Sequence, residues 1–574
     1  MTRLPDSLRR PGRLIIFTVA TAIIPGPLHA QSGRTPAPAR WGMVTSSHYL
    51  ASAVGTDILR KGGNAVDAAV ATAFALAVTL PFAGNIGGGG FLVYHGADGQ
   101  TTSFNFRETA PLAATERMYL DENGAVRSNP NHEGILSVGV PGTVAGLVLA
   151  HQRLGRRPWK ELVQPAVGLA ERGIPLSWAE TNFQRWVAEH RTEYPTTAAV
   201  FLKHGTTPYE PGETWKQPQL AAILKRIRDQ GRQGFYAGET ARLLAAHMRK
   251  YGGIITEEDL ARYQAVEQEP IRGSYRGYEV VSMPPPSSGG VALVQMLNIL
   301  EGFHLREMGH NSALYLHLLT EAMRRAFADR ARHLGDPAFN PDMPIARLMS
   351  KDYARELREG IELFRASPSD PSAIASVGET EHTTHLSVVD SAGNAVALTY
   401  TLEGGYGSRI AVEGAGFLLN NEMGDFNAIP GRTDSTGLIG TGPNLIAPGK
   451  RMLSSMTPTI VSREGRPVLV IGSPGGRTII NTVLQVILNV VDHGMNVAEA
   501  VEAGRIHHQW LPDVTRYERH TISPDTRRLL ELMGHRLEAI GTQGQAMGIF
   551  IDRERGLLYG VADSRAFDGR VVGY

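Results

Sequence analysis

The hydrophobic pattern of this chain changes period near residue 382, and that change limits the architectures open to it. Residues 140–380 are mostly helix-periodic, most clearly in GTVAGLVLAHQRL and ALYLHLLTEAMRRAFADRARHL. Beyond 382, TTHLSVVD, NAVALTYT, TPTIVS and PVLVIG read as strands. A helix over about 477–493 follows, then further strands at GIFID and LLYGVAD. Upstream, a helix is expected to start at Asn64, with Asp67 as a capping partner, and to stop before Pro81. Its faces are nearly all apolar or alanine, which marks a buried helix, and it is too short to span a bilayer. A glycine-rich loop at 84–90 leads into a hairpin turning near Asp98-Gly99, and MPPPSSGG reads as an irregular turn opening a helix at Val291. Sheets sandwiched by helices, an α/β architecture, account for this order.

The chain has 574 residues, ample for a large core. Lys and Arg number 57 against 56 Asp and Glu, with no long block of either sign. Nucleic-acid binding and polybasic membrane contact both need a concentrated positive face, so neither is expected. There is no cysteine, hence no disulfide and no lipid anchor on a thiol. Arg3, Arg9, Arg10 and Arg13 precede a short apolar run at 14–24, and Leu28-His29-Ala30 ends in a small residue before Gln31. That is the form of a cleavable signal peptide over 1–30, and it predicts a periplasmic or secreted protein without a stable membrane anchor.

Three groups of residues carry the chemistry. In the first, the turn at 390–394 places glycine where a three-residue hairpin loop needs positive φ. If Asp390 faces Asn394, Thr383 faces Thr401, and two hydroxyls meet across one strand pair. A threonine is a weak nucleophile unless a base takes its proton; at a chain terminus its own α-amine, of pKa about 7.7–8.0, supplies that base. The same threonines also suit an ordinary strand. In the second, Pro474-Gly475-Gly476 stands between a strand and a helix, where converging N–H groups and the helix field suit an oxyanion hole, or simply a turn. No lysine follows, so it is not a phosphate loop. In the third, Arg107, Glu422, Asp425, Ser454 and Ser455 offer the charges and hydroxyls to hold an amino acid by its carboxylate and ammonium, although surface pairing or capping explains any one of them alone. His507-His508 has no metal-site spacing around it and is read as structural.

These motifs together resemble the γ-glutamyltransferase (γ-glutamyl transpeptidase, glutathione hydrolase) family of N-terminal-nucleophile hydrolases. The likeness runs from about Trp41 to Tyr574 through GGNAVDAAVA, GNIGGGGF, FRETAP, GVPGTVAG, MPPPSSGG, TTHLSVVD, LLNNEMGDF, LSSMTPTI, GSPGG and HHQWLPD. The resemblance implies a four-layer αββα sandwich made as a precursor that cuts itself between His382 and Thr383. A large subunit (31–382) and a small one (383–574) would then form a heterodimer. It implies Thr383 as nucleophile, Thr401 as its hydrogen-bond partner, and Gly475 and Gly476 as the oxyanion hole. Arg107, Ser454 and Ser455 would take the donor's α-carboxylate, and Asp425, Glu422 and Glu403 its α-ammonium. Glu403 is a departure, since many members have Asn there. A lid at 430–444 is present, but Thr436 stands where some members have an aromatic, which favours hydrolysis over transfer.

The expected reaction needs no metal or cofactor. It passes the γ-glutamyl group of glutathione or related compounds to water or to amino acids and peptides. Other readings are an acylase of the same fold that removes glutaryl side chains from β-lactams, a non-catalytic periplasmic binding protein, and a precursor that never matures.

Overall fold

The strands Thr383–Val389 and Ala395–Thr401 pair antiparallel across the turn at 390–394, with Thr383 opposite Thr401. The Asp390 N–H donates to the Asn394 carbonyl at 3.1 Å, and Gly393 takes φ 90°. One Asp390 carboxylate oxygen accepts from the N–H groups of Ala392 and Asn394; the other accepts from Ala65 N–H at 3.0 Å. The turn is thereby tied to the first residue of the helix Ala65–Thr79, every residue of which is buried. Asn64 caps that helix and exchanges hydrogen bonds with Asp67, as the sequence predicts.

The computed structural model describes residues 34–124, 131–370, 383–431 and 440–574. The expected signal peptide, His382 and Thr436 lie outside the described residues. The central hairpin belongs to a seven-stranded sheet in the order Arg570–Gly573, Met43–Ser46, Thr383–Val389, Ala395–Thr401, Gly89–His95, Thr101–Phe106, Val266–Gln268. A second seven-stranded sheet has the order Ala37–Ala39, Leu557–Ala562, Met547–Asp552, Arg466–Gly472, Thr459–Arg463, Tyr278–Ser282, Ile271–Tyr275. Neighbours in both sheets run antiparallel.

Strand alternation sorts the side chains into layers. Val396, Leu398 and Tyr400 join the core formed with Ala65–Thr79, Thr143–Leu154 and Trp159–Arg172. Ala395 and Ala397 turn the other way, into the core shared with the second sheet and with the helices Gly289–Leu300, Ala313–His333 and Thr478–Val491. The result is the αββα sandwich. Thr383 and Thr401 occupy odd positions and so lie on the inter-sheet face. Farther along the same face, His385 shares hydrogen bonds with Thr399 Oγ1 at 2.7 Å and Ser387 Oγ at 3.0 Å, and burial lowers its pKa to about 3. No helix among the described residues is long and apolar enough to cross a membrane.

Two details differ from the sequence reading. The helix expected at Val291 begins at Gly289. The stretch read as mostly helical also contains the strands Val266–Gln268, Ile271–Tyr275 and Tyr278–Ser282, which close one edge of each sheet. They are short and interspersed with Glu267, Arg272, Gly273 and Glu279, so they carry little strand pattern.

The sheets approach closely at Gly472, the last residue of Arg466–Gly472. A Cβ there would lie 2.2 Å from the His385 ring. Because His385 is held by two hydroxyls, Gly472→Ala is expected to cost about 1–3 kcal/mol and to lower the thermal midpoint measurably. An unchanged midpoint would show that the sheets can part without cost.

Candidate active site

One cleft is lined by Thr383, Thr401, Gly476, Arg107, Ser454, Ser455, Glu403, Glu422 and Asp425. The structure thus brings together all but one of the residues the sequence nominated for chemistry and binding; Gly475, the exception, is adjacent in the chain. Thr383 is 7% exposed, and its hydroxyl donates to Thr401 Oγ1 at 3.4 Å. Thr401 Oγ1 also accepts from Glu403 N–H at 2.8 Å, which fixes its position. The chain bends sharply just beyond, where Glu403, Tyr406 and Arg409 all have positive φ. Such a concentration of costly backbone in non-glycine residues is typical of sites where geometry is imposed by function.

Gly475 and Gly476, at φ 131° and 53°, turn the chain from the strand Arg466–Gly472 into the helix Thr478–Val491. Their carbonyls accept from Thr478 and Ile479 N–H at 3.0 and 3.1 Å, the first bonds of that helix. The turn therefore lies within the positive field of a helix N-terminus, beside the nucleophile candidate.

Arg107 is 1% exposed and faces three acidic residues. It pairs with Glu422 and Asp425, and the Glu108 carboxylate is 3.6 Å away. Burial pushes the Glu108 carboxyl up to about 8 against the attraction of Arg107, and it drives Glu422 well above the ordinary carboxylate range. Among the described residues this one guanidinium meets three carboxyls, of which Glu108 and Glu422 are fully buried. The imbalance is met by retained protons or by a ligand that brings an ammonium.

Ser454 and Ser455 line the same cleft. Ser454 Oγ accepts from Met456 N–H at 3.2 Å, so its hydrogen points onward. Ser455 Oγ accepts from Arg330 Nη2 at 3.0 Å, and Arg330 Nε also donates to Ser288 Oγ at 2.8 Å. Hydroxyls that accept from N–H donors are oriented to donate to an anion.

Four residues here escaped the sequence reading. Glu108 and Arg330 act through charge. His132 Nδ1 is 2.9 Å from Glu403 Oε1, and because a carboxylate only accepts, Nδ1 carries the hydrogen. Asn444 donates to the Asp425 carbonyl at 2.6 Å and accepts from Leu453 N–H at 2.9 Å, spacing the acidic loop from the serines. Glu108 adjoins Arg107 in FRETAP, which is a signal; nothing local distinguishes the other three. His507 and His508 are buried, hydrogen-bonded to Asn481 and Gln509 and to Asp513 respectively, and kept neutral by burial, which lowers them to about 3 and about 4. Neither belongs to a group of metal-ligand spacing among the described residues.

Glu108 makes stability depend on pH with a definite sign. Between the ordinary value of 4.5 and about 8, the folded protein binds this proton and the unfolded chain does not, so the stabilisation is complete at low pH and is lost as pH rises through that window. The thermal midpoint of the wild type should fall relative to that of Glu108→Gln as pH is raised across it. Parallel profiles would mean that Glu108 titrates normally.

The family model for gamma-glutamyltranspeptidase matches residues 51–573. The glutathione hydrolase proenzyme of Escherichia coli K12 is 46% identical over 543 residues, covering 94% of this chain and 93% of that one. Among solved structures, the cephalosporin acylase from Bacillus halodurans superposes with a TM-score of 0.83 at 28% identity, covering 98% of this chain and 99% of that one. The Helicobacter pylori γ-glutamyltranspeptidase superposes with a TM-score of 0.55 at 41% identity, covering 60% of this chain and 95% of that one. The buried threonine pair, the glycine turn and the arginine ringed by carboxylates thus occur in a chain that belongs to the γ-glutamyltranspeptidase family.

Proposed function

We propose that Thr383 is the nucleophile of a proenzyme cut at the 382–383 bond, giving a large subunit of residues 31–382 and a small one of residues 383–574. Residues 1–30 are then an export leader, and the enzyme works in the periplasm or outside the cell. The chain is a γ-glutamyltransferase and glutathione hydrolase. Thr383 Oγ adds to the γ-carbonyl carbon of the donor while its proton passes to the threonine's own α-amine. Thr401 orients the hydroxyl, and the N–H groups of Gly475 and Gly476 receive the oxyanion. Collapse breaks the amide C–N bond, and the α-ammonium returns the proton to the leaving amine. Water or the amine of an amino acid or peptide then attacks the γ-glutamyl ester, freeing glutamate or a new γ-glutamyl amide and restoring Thr383.

The observation that carries this reading is the charge layout of the cleft. Arg107, Ser454 and Ser455 suit an α-carboxylate, while Glu422, Asp425 and Glu403 suit an α-ammonium, and both groups line the cleft that contains Thr383. The cephalosporin acylase likeness supports a second reading, removal of glutaryl groups. A glutaryl donor has no ammonium, however, and would leave the buried carboxyls uncompensated. The lid at 430–444 completes the proposal: with threonine at 436, outside the described residues, water competes well and hydrolysis exceeds transfer to Gly-Gly.

A denaturing gel with N-terminal sequencing tests the first part. Two bands are expected, the lighter beginning Thr-Thr-His-Leu, and Thr383→Ala should give one uncut, inactive band. Full activity in the uncut protein would refute the mechanism. For the donor, γ-glutamyl-p-nitroanilide should be cleaved at least about 100-fold faster than its glutaryl analogue, as expected where a polar site meets a ligand lacking its partner group; the reverse order would establish the acylase reading.

A further inference from the structure

Asp513, the last residue of HHQWLPD, meets two other segments of the chain. One is the helix Ala313–His333, from which Arg324 Nη1 donates to Asp513 Oδ1. The other is the run 361–370, which forms neither helix nor strand and is mostly exposed. There Ser369 N–H donates to Asp513 Oδ2 at 2.8 Å, and Ser369 Oγ accepts from Arg324 Nη1. His508 steadies the carboxylate. Its Nδ1 accepts from Trp510 N–H at 3.1 Å, so Nε2 carries the hydrogen and donates to Asp513 Oδ1 at 3.1 Å.

Backbone outside regular structure still needs partners for its polar groups, and the helix Ala313–His333 supplies them in order along the run. Arg325 donates to the carbonyls of Leu357 and Gly360 at 3.0 and 2.7 Å, and His317 Nε2 donates to that of Glu362 at 2.8 Å. Glu321 is fully buried; it accepts from Ser367 N–H at 3.1 Å while pairing with Arg324 and Arg325. The Met533 carbonyl accepts from Ala366 N–H at 2.7 Å. Arg324 and Arg325 thus face Glu321 and Asp513, two cations against two carboxylates. Ion pairs taken from water add little net stability, because desolvation offsets their attraction. What this group does is fix where Ser369 sits.

We propose that Asp513 and Arg324 are positioning residues for self-cleavage: by pinning Ser369 they set the place and direction from which the chain carries the 382–383 bond to the Thr383 hydroxyl. The proposal rests on the reading of that bond as the one that is cut. In the cut, Thr383 Oγ adds to the carbonyl carbon of residue 382 and the C–N bond breaks. The hydroxyl proton ends on the nitrogen, which becomes the α-amine. Water then hydrolyses the ester and leaves a carboxylate on residue 382. The strand Thr383–Val389 already holds the nucleophile in its sheet; with Ser369 tied as well, the segment between them is fixed at both ends, and the bond is kept near attack geometry. Once the bond is broken the tie has no further part in turnover. Asp513, His508 and Met533 then belong to the small subunit and the run with its helix to the large one, so the anchor spans the junction that the cut creates.

The test follows newly translated precursor into its two bands on a denaturing gel over time. Asp513→Asn, which loses the charge facing Arg324, and Ser369→Pro, which loses both the N–H and the hydroxyl, should each be cut at least about threefold more slowly than wild type. Once processed, each should cleave γ-glutamyl-p-nitroanilide with the kcat and KM of wild type. The double variant should be no slower than the slower single one, because both changes break the same tie. Ser369→Pro alters only the surface run and decides the matter if Asp513→Asn does not fold. A wild type that is never cut would overturn the self-cleavage reading and this proposal with it. A wild type that is cut, with variants cut at the same rate, would overturn this proposal alone. So would a kcat that falls in step with cutting, or a double variant slowed by the product of the single effects, since either would mark a general loss of structure.

Discussion

The opposition of Thr383 and Thr401 is the constraint on which the rest of the site depends. Their hydroxyls meet because the hairpin keeps one register from the turn at 390–394 to the strand ends. A slip of one residue on either strand would send one hydroxyl toward the helices and leave the other facing the second sheet alone. The register is defended at both ends. Asp390 fixes the turn and anchors it to the helix Ala65–Thr79, while Glu403 N–H holds Thr401 from beyond the strand. Between them, Val396, Leu398 and Tyr400 face one core and Ala395 and Ala397 the other, so a shift would disrupt both.

Charge is the second organising element. Among the described residues, Arg107 is the guanidinium that meets Glu108, Glu422 and Asp425, and Glu108 and Glu422 are fully buried. Burial raises both of these carboxyls, which favours their protonated forms beside a single guanidinium. Glu403 fits this picture in a particular way. Its positive φ would suit asparagine better, and its carboxylate accepts from His132 at 2.9 Å. Part of its hydrogen-bonding capacity is therefore spent on a neighbour. Glu422 and Asp425 contact the guanidinium directly.

The sequence discloses what local rules control. The capping pair Asn64 and Asp67 and the three-residue turn before Asn394 are local chemistry, and from the turn the Thr383–Thr401 pairing follows by counting. The glycine turn at 475–476 is legible for the same reason. Arg330 is not, because it is one of several arginines in Ala313–His333 and only tertiary packing selects it for Ser455. His132 and Asn444 lie in irregular segments whose course is set by what they join. The strands at 271–282 carry little apolar pattern because Arg272, Gly273 and Glu279 interrupt short runs of strand residues. Motif spacing identified the cleft, whereas the groups that orient its members became visible only in three dimensions.

The two cavities that touch Thr383 share a feature that neither shows alone. Among the described residues each is lined by more carboxyl groups than cations, yet the cleft of Glu422 and Asp425 includes the buried Arg107 and the other no lysine or arginine. The second is lined by aromatic rings together with Glu180 and Asp568. Thr383 therefore stands between two different surroundings, one built around a buried arginine and one around aromatic rings.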